Sequence, residues 1–417
     1  MLIDSVETVI VGAGQAGLAM SEHLSMTGGS HLVLERDRIA ERWRTQRWDS
    51  LVSNGPAWHD RFPSMEFSDV GPDDFASKQS VTRYFEAYAK HIKAPVHCGV
   101  EVLNVQRNDG RPGFTVETSE GSIDAHNIVA ATGPFQIPVI PPVIPKDLGL
   151  KQIHSSDYKN PEQLPAGAVL VVGAGSSGSQ IADELNNASR QVYLSVGPHD
   201  RPPRSYRDRD FVWWLGVLGK WDAAAPTPGT EHVTIAVSGA GGGKTIDFRQ
   251  FSARGIKLLG LTESCQEGVL RFASDLAQNV SRGDANYLSV LDEADAYILR
   301  NGLDLPLEPD ARKIDPDPSC LIEPTLELDL ADAGIGTIIW ATGYACDYSW
   351  LSLDAFDESG KPIHQRGVSP ENGLYFLGLP WQSRRGSSFI WGVWHDAKYL
   401  ADIISKQRSY LDYRSGT

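Results

Sequence analysis

The chain writes one glycine-rich turn twice. "VIVGAGQAG" begins at Val9, and "VLVVGAGSSG" begins at Val169. Both satisfy G-x-G-x-x-G, with Gly12, Gly14 and Gly17 in the first and Gly173, Gly175 and Gly178 in the second. The first glycine of each set permits a tight turn. The second lets a pyrophosphate approach the backbone, and the third lets helix and strand pack closely. A helix opening there faces the phosphates with unspent N–H groups and its positive dipole end. Each turn follows a short apolar strand and precedes a helical stretch, the context in which the motif reads as a dinucleotide fingerprint. Ser176 and Ser177 stand in the second turn where backbone and hydroxyl both offer hydrogen bonds. Two such turns in one chain imply two dinucleotides.

The strand after each turn tells the two sites apart. The first ends in Glu35, a carboxylate placed to take ribose hydroxyls and to repel a 2′-phosphate, which suits FAD or NAD. The second ends in Ser195-Val196-Gly197, with no carboxylate, and Arg201, Arg204, Arg207 and Arg209 follow. Guanidinium groups there can clamp a 2′-phosphate, which suits NADPH. The same arginines also read as a solvated basic loop. "AATG" at Ala130–Gly133 is echoed by "WATGY" at Trp340–Tyr344, so Thr132 and Gly133 are placed beside the first nucleotide.

These units organise the 417 residues as an α/β protein with two Rossmann-like, three-layer ββα dinucleotide domains. The FAD domain is discontinuous, over 1–145 and 326–417. The NADPH domain, 146–325, is inserted in it and carries a Trp-rich insertion at 198–230. The pattern predicts a helix over Val81–Lys90 and a β-meander of Val96–Arg107, Phe114–Thr118 and Ser122–Ala130. It also predicts paired strands at His232–Ser238 and Thr245–Phe248, and a helix over Asp284–Arg300. "FVWWLGVL" at Phe211–Leu218 is too short to span a membrane and reads as a buried helix, a lid or a subunit contact. "SGAGGGKT" at Ser238–Thr245 imitates a P-loop, but Ser238 replaces its first glycine and a strand is expected where that motif needs a helix.

Composition narrows the function. Net charge is −15, which disfavours nucleic acid as a partner. Four cysteines form no C-x-x-C pair, which argues against a zinc ribbon or a dithiol relay and suits a reducing cytoplasm. No metal-ligand cluster is evident. The first strand lies too close to Met1 for a signal peptide, so a cytoplasmic location is expected.

With both turns, "WATGY" and the C-terminal "GLYFLGLPW" followed by "DAKYLADII" in place, the sequence resembles the class B flavin-containing monooxygenases, especially the bacterial CzcO-like and plant YUCCA-type branches. The resemblance implies FAD, NADPH and insertion of one oxygen atom through a flavin C4a-hydroperoxide. It places Trp43 and Arg44 beside the flavin and Val102 against its adenine. It places Asn54 at the position of an asparagine that hydrogen-bonds the oxygen adduct; Asn54-Gly55-Pro56 is also a good turn. The family fingerprint survives only as its second half, His154 and Tyr158. Two further groups suggest a substrate pocket: the tryptophans Trp213 and Trp391, and Arg384 for a substrate carboxylate, each of which also reads as packing or surface. The substrate classes left open are amines or thioethers and an aromatic 2-oxo acid or related carboxylate, with O2 as co-substrate. A flavin reductase or diaphorase, a Baeyer–Villiger enzyme and a redox-sensing dinucleotide binder are the alternatives, and a homodimer is left open.

Overall fold

The computed structural model describes residues 4–224 and 235–413. Its first sheet is built on β1 (Ser5–Val11), flanked on one side by β2 (His31–Glu35) and then β3 (Val96–Cys98). On its other side lies β6 (Gly121–Ala130). These pairings are all parallel. β1 ends in a continuous apolar run, Val9–Val11, because both its faces are covered there. Ile10 faces helices Gln15–Met26, Lys78–His91 and Ile390–Leu411. Val9 and Val11 face a second layer that includes β5 (Phe114–Thr118). The result is the expected three-layer ββα arrangement. β6 serves both layers: Gly121–Ala125 pairs antiparallel with β5, while Ile128–Ala130 pairs in parallel with strand Leu374–Phe376.

One predicted element divides. The stretch Val96–Arg107 is two strands, β3 and β4 (Val102–Arg107), which leave the corner in different directions. Gly99 sits between them with φ +80, a left-handed corner that glycine permits. β3 extends the parallel sheet, and only β4, β5 and β6 form the antiparallel meander.

The second sheet is parallel throughout, in the order Lys257–Leu259, Val192–Ser195, Ala168–Val172, Ile335–Trp340, Lys151–His154. This corrects the boundary drawn at 325/326. Ile335–Trp340 is an interior strand of the second sheet, with Ile338 and Ile339 fully buried. The chain rejoins the first sheet only with Leu374–Phe376. Between the sheets runs a two-stranded link, Ile137–Pro138 against Tyr344–Ala345.

The strand predicted at Thr245–Phe248 is absent. Asp247 instead caps helix Phe248–Ala253, accepting from the Arg249 and Gln250 N–H groups. Gly241, Gly242 and Gly243 all have positive φ, and no helix starts at Lys244-Thr245. Of the strand predicted at His232–Ser238, residues 232–234 lie outside the described residues, and Ile235–Ser238 form no strand: Ile235 makes only an isolated parallel bridge to Asp200. The helix expected over Asp284–Arg300 runs longer, Leu276–Asn301. Phe211–Val217 is a buried helix capped by Asp210. Among the described residues no helix is long and apolar enough to cross a membrane.

Candidate functional site

The two glycine turns are duplicates in space. Gly12 has φ +106 and Gly173 φ +105. A Cβ on Gly12 would stand 2.8 Å from the Ala131 carbonyl oxygen, and one on Gly173 would stand 2.5 Å from that of Ala341. The echo of the two ATG segments therefore has a steric cause, since each passes directly against its own turn. Gly17 and Gly178 lie behind the turns. A Cβ on either would come within 1.8 Å of the first glycine's carbonyl oxygen. Gly14 differs, because a Cβ there meets nothing within 4 Å; the open space is the cavity itself. Gly14 and Gly175 are extended N-caps without a side-chain cap bond, which leaves the helix-terminal N–H groups for an anion.

Both turns line one cavity of about 1210 Å³. On the first side it is bounded by Gly12, Gly14, Glu35, Trp43, Asn54, Val102, Thr132 and Gly133. On the second it is bounded by Gly173, Gly175, Ser176 and Ser177. Glu35 accepts from the Ala13 N–H at 2.8 Å and from the Asp37 N–H at 3.0 Å, so its carboxylate is fixed at the first turn. Ser176 donates to the Ile235 carbonyl at 2.7 Å. Two uncapped helix ends in a shared cavity, with a ribose-type carboxylate at one and none at the other, fit one dinucleotide at each turn.

Asn54 lies where the two units meet. Its Oδ1 accepts from Gln180 Nε2 at 2.9 Å, and Gln180 is on the helix of the second turn. That leaves the Asn54 amino group as the donor offered to the cavity. His154 does not face the cavity. Its Nε2 pairs with the Gly343 carbonyl at 3.0 Å and its Nδ1 with the Ser156 hydroxyl at 3.0 Å. Burial holds its pKa below the usual value. Tyr158 donates to Glu184 at 2.8 Å. His154 thus fastens the end of the second sheet to the residue before the link, and Tyr158 ties the following segment to helix Ser176–Asn187.

Six predicted residues are directed elsewhere. Arg201 is buried against Asp284 at 2.7 Å and Asp247 at 3.4 Å. Arg204 is buried against Asp210 and donates to the Asn54 carbonyl at 2.6 Å. Neither lines the cavity, and neither guanidinium is free for a 2′-phosphate. Arg44 turns to Glu86 on helix Lys78–His91, at 2.5 Å. Arg384 pairs with Asp222 at 2.6 Å. Trp213 packs beside Trp214 against helix Leu276–Asn301. Trp391 does not line the cavity, although its neighbours Phe389 and Ile390 do; it packs against His59 and Trp221.

Three arginines line the cavity, none of them among the expected site residues: Arg36, which pairs with Asp37 at 3.3 Å, and Arg42 and Arg47, which carry no ion pair among the described residues. Arg47 lies over the Trp43 ring at 5.6 Å and the Phe135 ring at 5.3 Å. It donates to the Gln46 carbonyl at 2.9 Å, and burial lowers its pKa. Arg42 bonds Gln46 at 2.5 Å, and burial lowers its pKa too. Neither has a carboxylate within ion-pair distance among the described residues, and a desolvated cation of this kind favours an anionic ligand. In "ERWRTQRW" it is Arg42 and Arg47, not the expected Arg44, that line the cavity.

Comparison with known proteins now bears on this geometry. The chain is 35% identical over 405 residues to a CzcO-like oxidoreductase of Geobacillus kaustophilus, an alignment covering 96% of this chain and 98% of that one. The chain belongs to the CzcO-like oxidoreductases. Residues 9–212 match the pyridine nucleotide-disulphide oxidoreductase family model. A probable indole-3-pyruvate monooxygenase of Arabidopsis thaliana, YUCCA4, is 28% identical over 96% of this chain and 90% of its own. A solved flavin-containing monooxygenase from Stenotrophomonas maltophilia superposes with a TM-score of 0.67 at 18% identity, over 97% of this chain and all of that one. The fold is the two-dinucleotide-domain fold, and the protein is class B flavin monooxygenase-like.

Proposed function

We propose that this protein is an FAD- and NADPH-dependent monooxygenase that places one atom of O2 into a small organic substrate. The observation that carries the reading is the single cavity lined by both glycine turns, which lets two dinucleotides meet without leaving the protein. FAD, when bound, supplies hydride acceptance and oxygen activation. The chain's own residues bind, orient and shield. Gly14 and the helix after it receive one pyrophosphate, and Glu35 its ribose. Gly175, Ser176 and Ser177 receive the other. Strand Val192–Ser195 ends without a carboxylate, so nothing at that strand end repels a 2′-phosphate. Asn54 donates a neutral N–H, which steadies negative charge without giving up a proton. Trp43, Phe135 and Phe389 keep water from the cavity.

The substrate is a soft nucleophile, an amine or thioether, or an activated carbonyl such as that of a 2-oxo acid. The YUCCA relative's description favours the last. The absence of a C-x-x-C pair weighs against a dithiol reductase. The test is the fate of oxygen. With methyl phenyl sulfide or phenylpyruvate as acceptor, NADPH oxidation yields oxygenated product with one oxygen atom from 18O2. Recovery of all consumed O2 as hydrogen peroxide with both acceptors would overturn the proposal in favour of a diaphorase.

A further inference from the structure

Asn54 belongs to the first unit by sequence, yet among the described residues the side chains that hydrogen-bond it come from the second. Gln180 Nε2 donates to its Oδ1 at 2.9 Å. Arg204 Nη1 donates to its main-chain carbonyl at 2.6 Å. Gly239 packs so closely on the preceding residue that a Cβ there would stand 2.2 Å from the Ser53 carbonyl oxygen. Gln180 sits one turn into helix Ser176–Asn187, beyond Ser176 and Ser177. It lines the cavity together with Asn54.

These contacts decide which way an amide points. The two ends of a carboxamide have nearly the same shape and opposite chemistry: nitrogen donates and oxygen accepts. Gln180 is aligned by a group that cannot change its role, the Val237 main-chain carbonyl, 2.7 Å from Nε2. A carbonyl only accepts, so the end of Gln180 that faces Val237 is the nitrogen. The same nitrogen gives its second hydrogen to Asn54, so the Asn54 atom it meets is the oxygen. Asn54 Nδ2 is the end turned away from Gln180. Polarity thus passes from a fixed backbone group to Gln180, and from Gln180 to Asn54. Gln180 is 8% exposed and Val237 6%, so little water competes for these bonds, and leaving either acceptor unpaired would be costly.

We propose that Gln180 is a positioning residue for oxygen transfer, which holds the Asn54 amide with its nitrogen available to the cavity. Gln180 acts through Asn54. The assignment rests on the reading of Asn54 as the neutral donor to developing negative charge. It adds that this donor, carried by the first unit, takes its direction from the helix that receives the second dinucleotide. With Gln180 replaced, the Asn54 amide is free to turn over. Its oxygen then presents partial negative charge where a donor is needed.

The experiment compares Gln180→Glu and Gln180→Met in the FAD-loaded protein, alone and combined with Asn54→Leu. An ionised glutamate keeps the shape and supplies acceptors only, so it draws Asn54 Nδ2 to itself and leaves Oδ1 to the cavity. Methionine keeps the length and supplies no N–H donor. With NADPH, O2 and methyl phenyl sulfide, hydrogen peroxide formed per NADPH is expected to rise at least about tenfold in Gln180→Glu, and by less in Gln180→Met. Anaerobic flavin reduction by NADPH is expected to change little, which places the loss at the oxygen step. In the Asn54→Leu background neither variant is expected to add to the peroxide, because residues that act as a unit are not additive. A Gln180 that only supports the fold would slow flavin reduction along with the loss of coupling, or would add its loss to that of Asn54→Leu. Either result overturns the assignment, as does unchanged coupling in both Gln180 variants. Should Gln180→Glu fail to fold, Gln180→Met carries the same test alone. Failure of the underlying reading looks different: Asn54→Leu itself then leaves the peroxide yield unchanged, and the assignment falls with it.

Discussion

Replacing Gly178 with alanine tests whether the two turns are separable devices. A Cβ at Gly178 lies 1.8 Å from the Gly173 carbonyl oxygen and 3.2 Å from the Ala341 Cβ. Neither neighbour is the end of a flexible side chain. To reach even 3.0 Å, a distance real Cβ atoms almost never undercut, helix Ser176–Asn187 must retreat from its strand by more than an ångström. Overpacking of this kind costs about 1–3 kcal/mol. Spent on the second cradle, that corresponds to a loss of roughly 5- to 150-fold in NADPH affinity. The first turn is a separate steric unit, so FAD content should not change. The assay is anaerobic reduction of the purified holoenzyme across an NADPH titration, with bound flavin measured by its visible absorbance. Gly17→Ala, where the same 1.8 Å clash falls on Gly12, is the mirror control and should lose FAD. The reasoning fails if Gly178→Ala keeps the unaltered NADPH affinity, or if it loses FAD as readily as Gly17→Ala does.

Three further outcomes follow from named contacts. Arg204→Ala breaks a buried pair with Asp210 and should cost about 3–5 kcal/mol of stability, while the KM values for NADPH and NADH move together; a selective rise for NADPH without a fall in Tm would restore the 2′-phosphate role. Asn54→Leu removes the donor offered to the cavity and should raise peroxide formed per NADPH at least about tenfold, with flavin reduction by NADPH little altered; unchanged coupling would remove Asn54 from the chemistry. Burial lowers the pKa of His23, His31, His154, His199, His364 and His395 from 6.5. The unfolded chain then binds more protons than the folded one below that value, so stability is fully present above about pH 6.5 and falls as pH drops towards the lowered values. A thermal-shift series from neutral to acidic pH should show it, and a flat Tm through that window would contradict it.

What the sequence made legible is what is local. A glycine turn declares its own geometry, because φ near +105 and a carbonyl within 1.8 Å of a virtual Cβ are demands on a few adjacent residues. Glu35 is legible for the same reason, fixed by strand length and turn. The arginines are illegible in the sequence because an arginine's destination is set by whichever carboxylate the fold brings near. Arg201 meets Asp284, Arg44 meets Glu86 and Arg384 meets Asp222, and none of these partners is a sequence neighbour. Ile335–Trp340 was placed in the wrong domain because a buried parallel strand has no mark of which sheet it enters. Gln180 holding Asn54, and the packing of Trp221 and Trp391 on the His59 ring, each need segments that only the folded chain assembles.

The central claim is that both dinucleotides work in one cavity to hand oxygen to a substrate. Its most direct test is to reduce the holoenzyme anaerobically with NADPH, mix it rapidly with oxygenated buffer, and follow the absorbance. The account predicts a transient absorbing in the near ultraviolet, distinct from oxidised flavin, that decays faster when an oxidisable substrate is present and yields product. Direct return to oxidised flavin with stoichiometric hydrogen peroxide, unchanged by any acceptor, would contradict it.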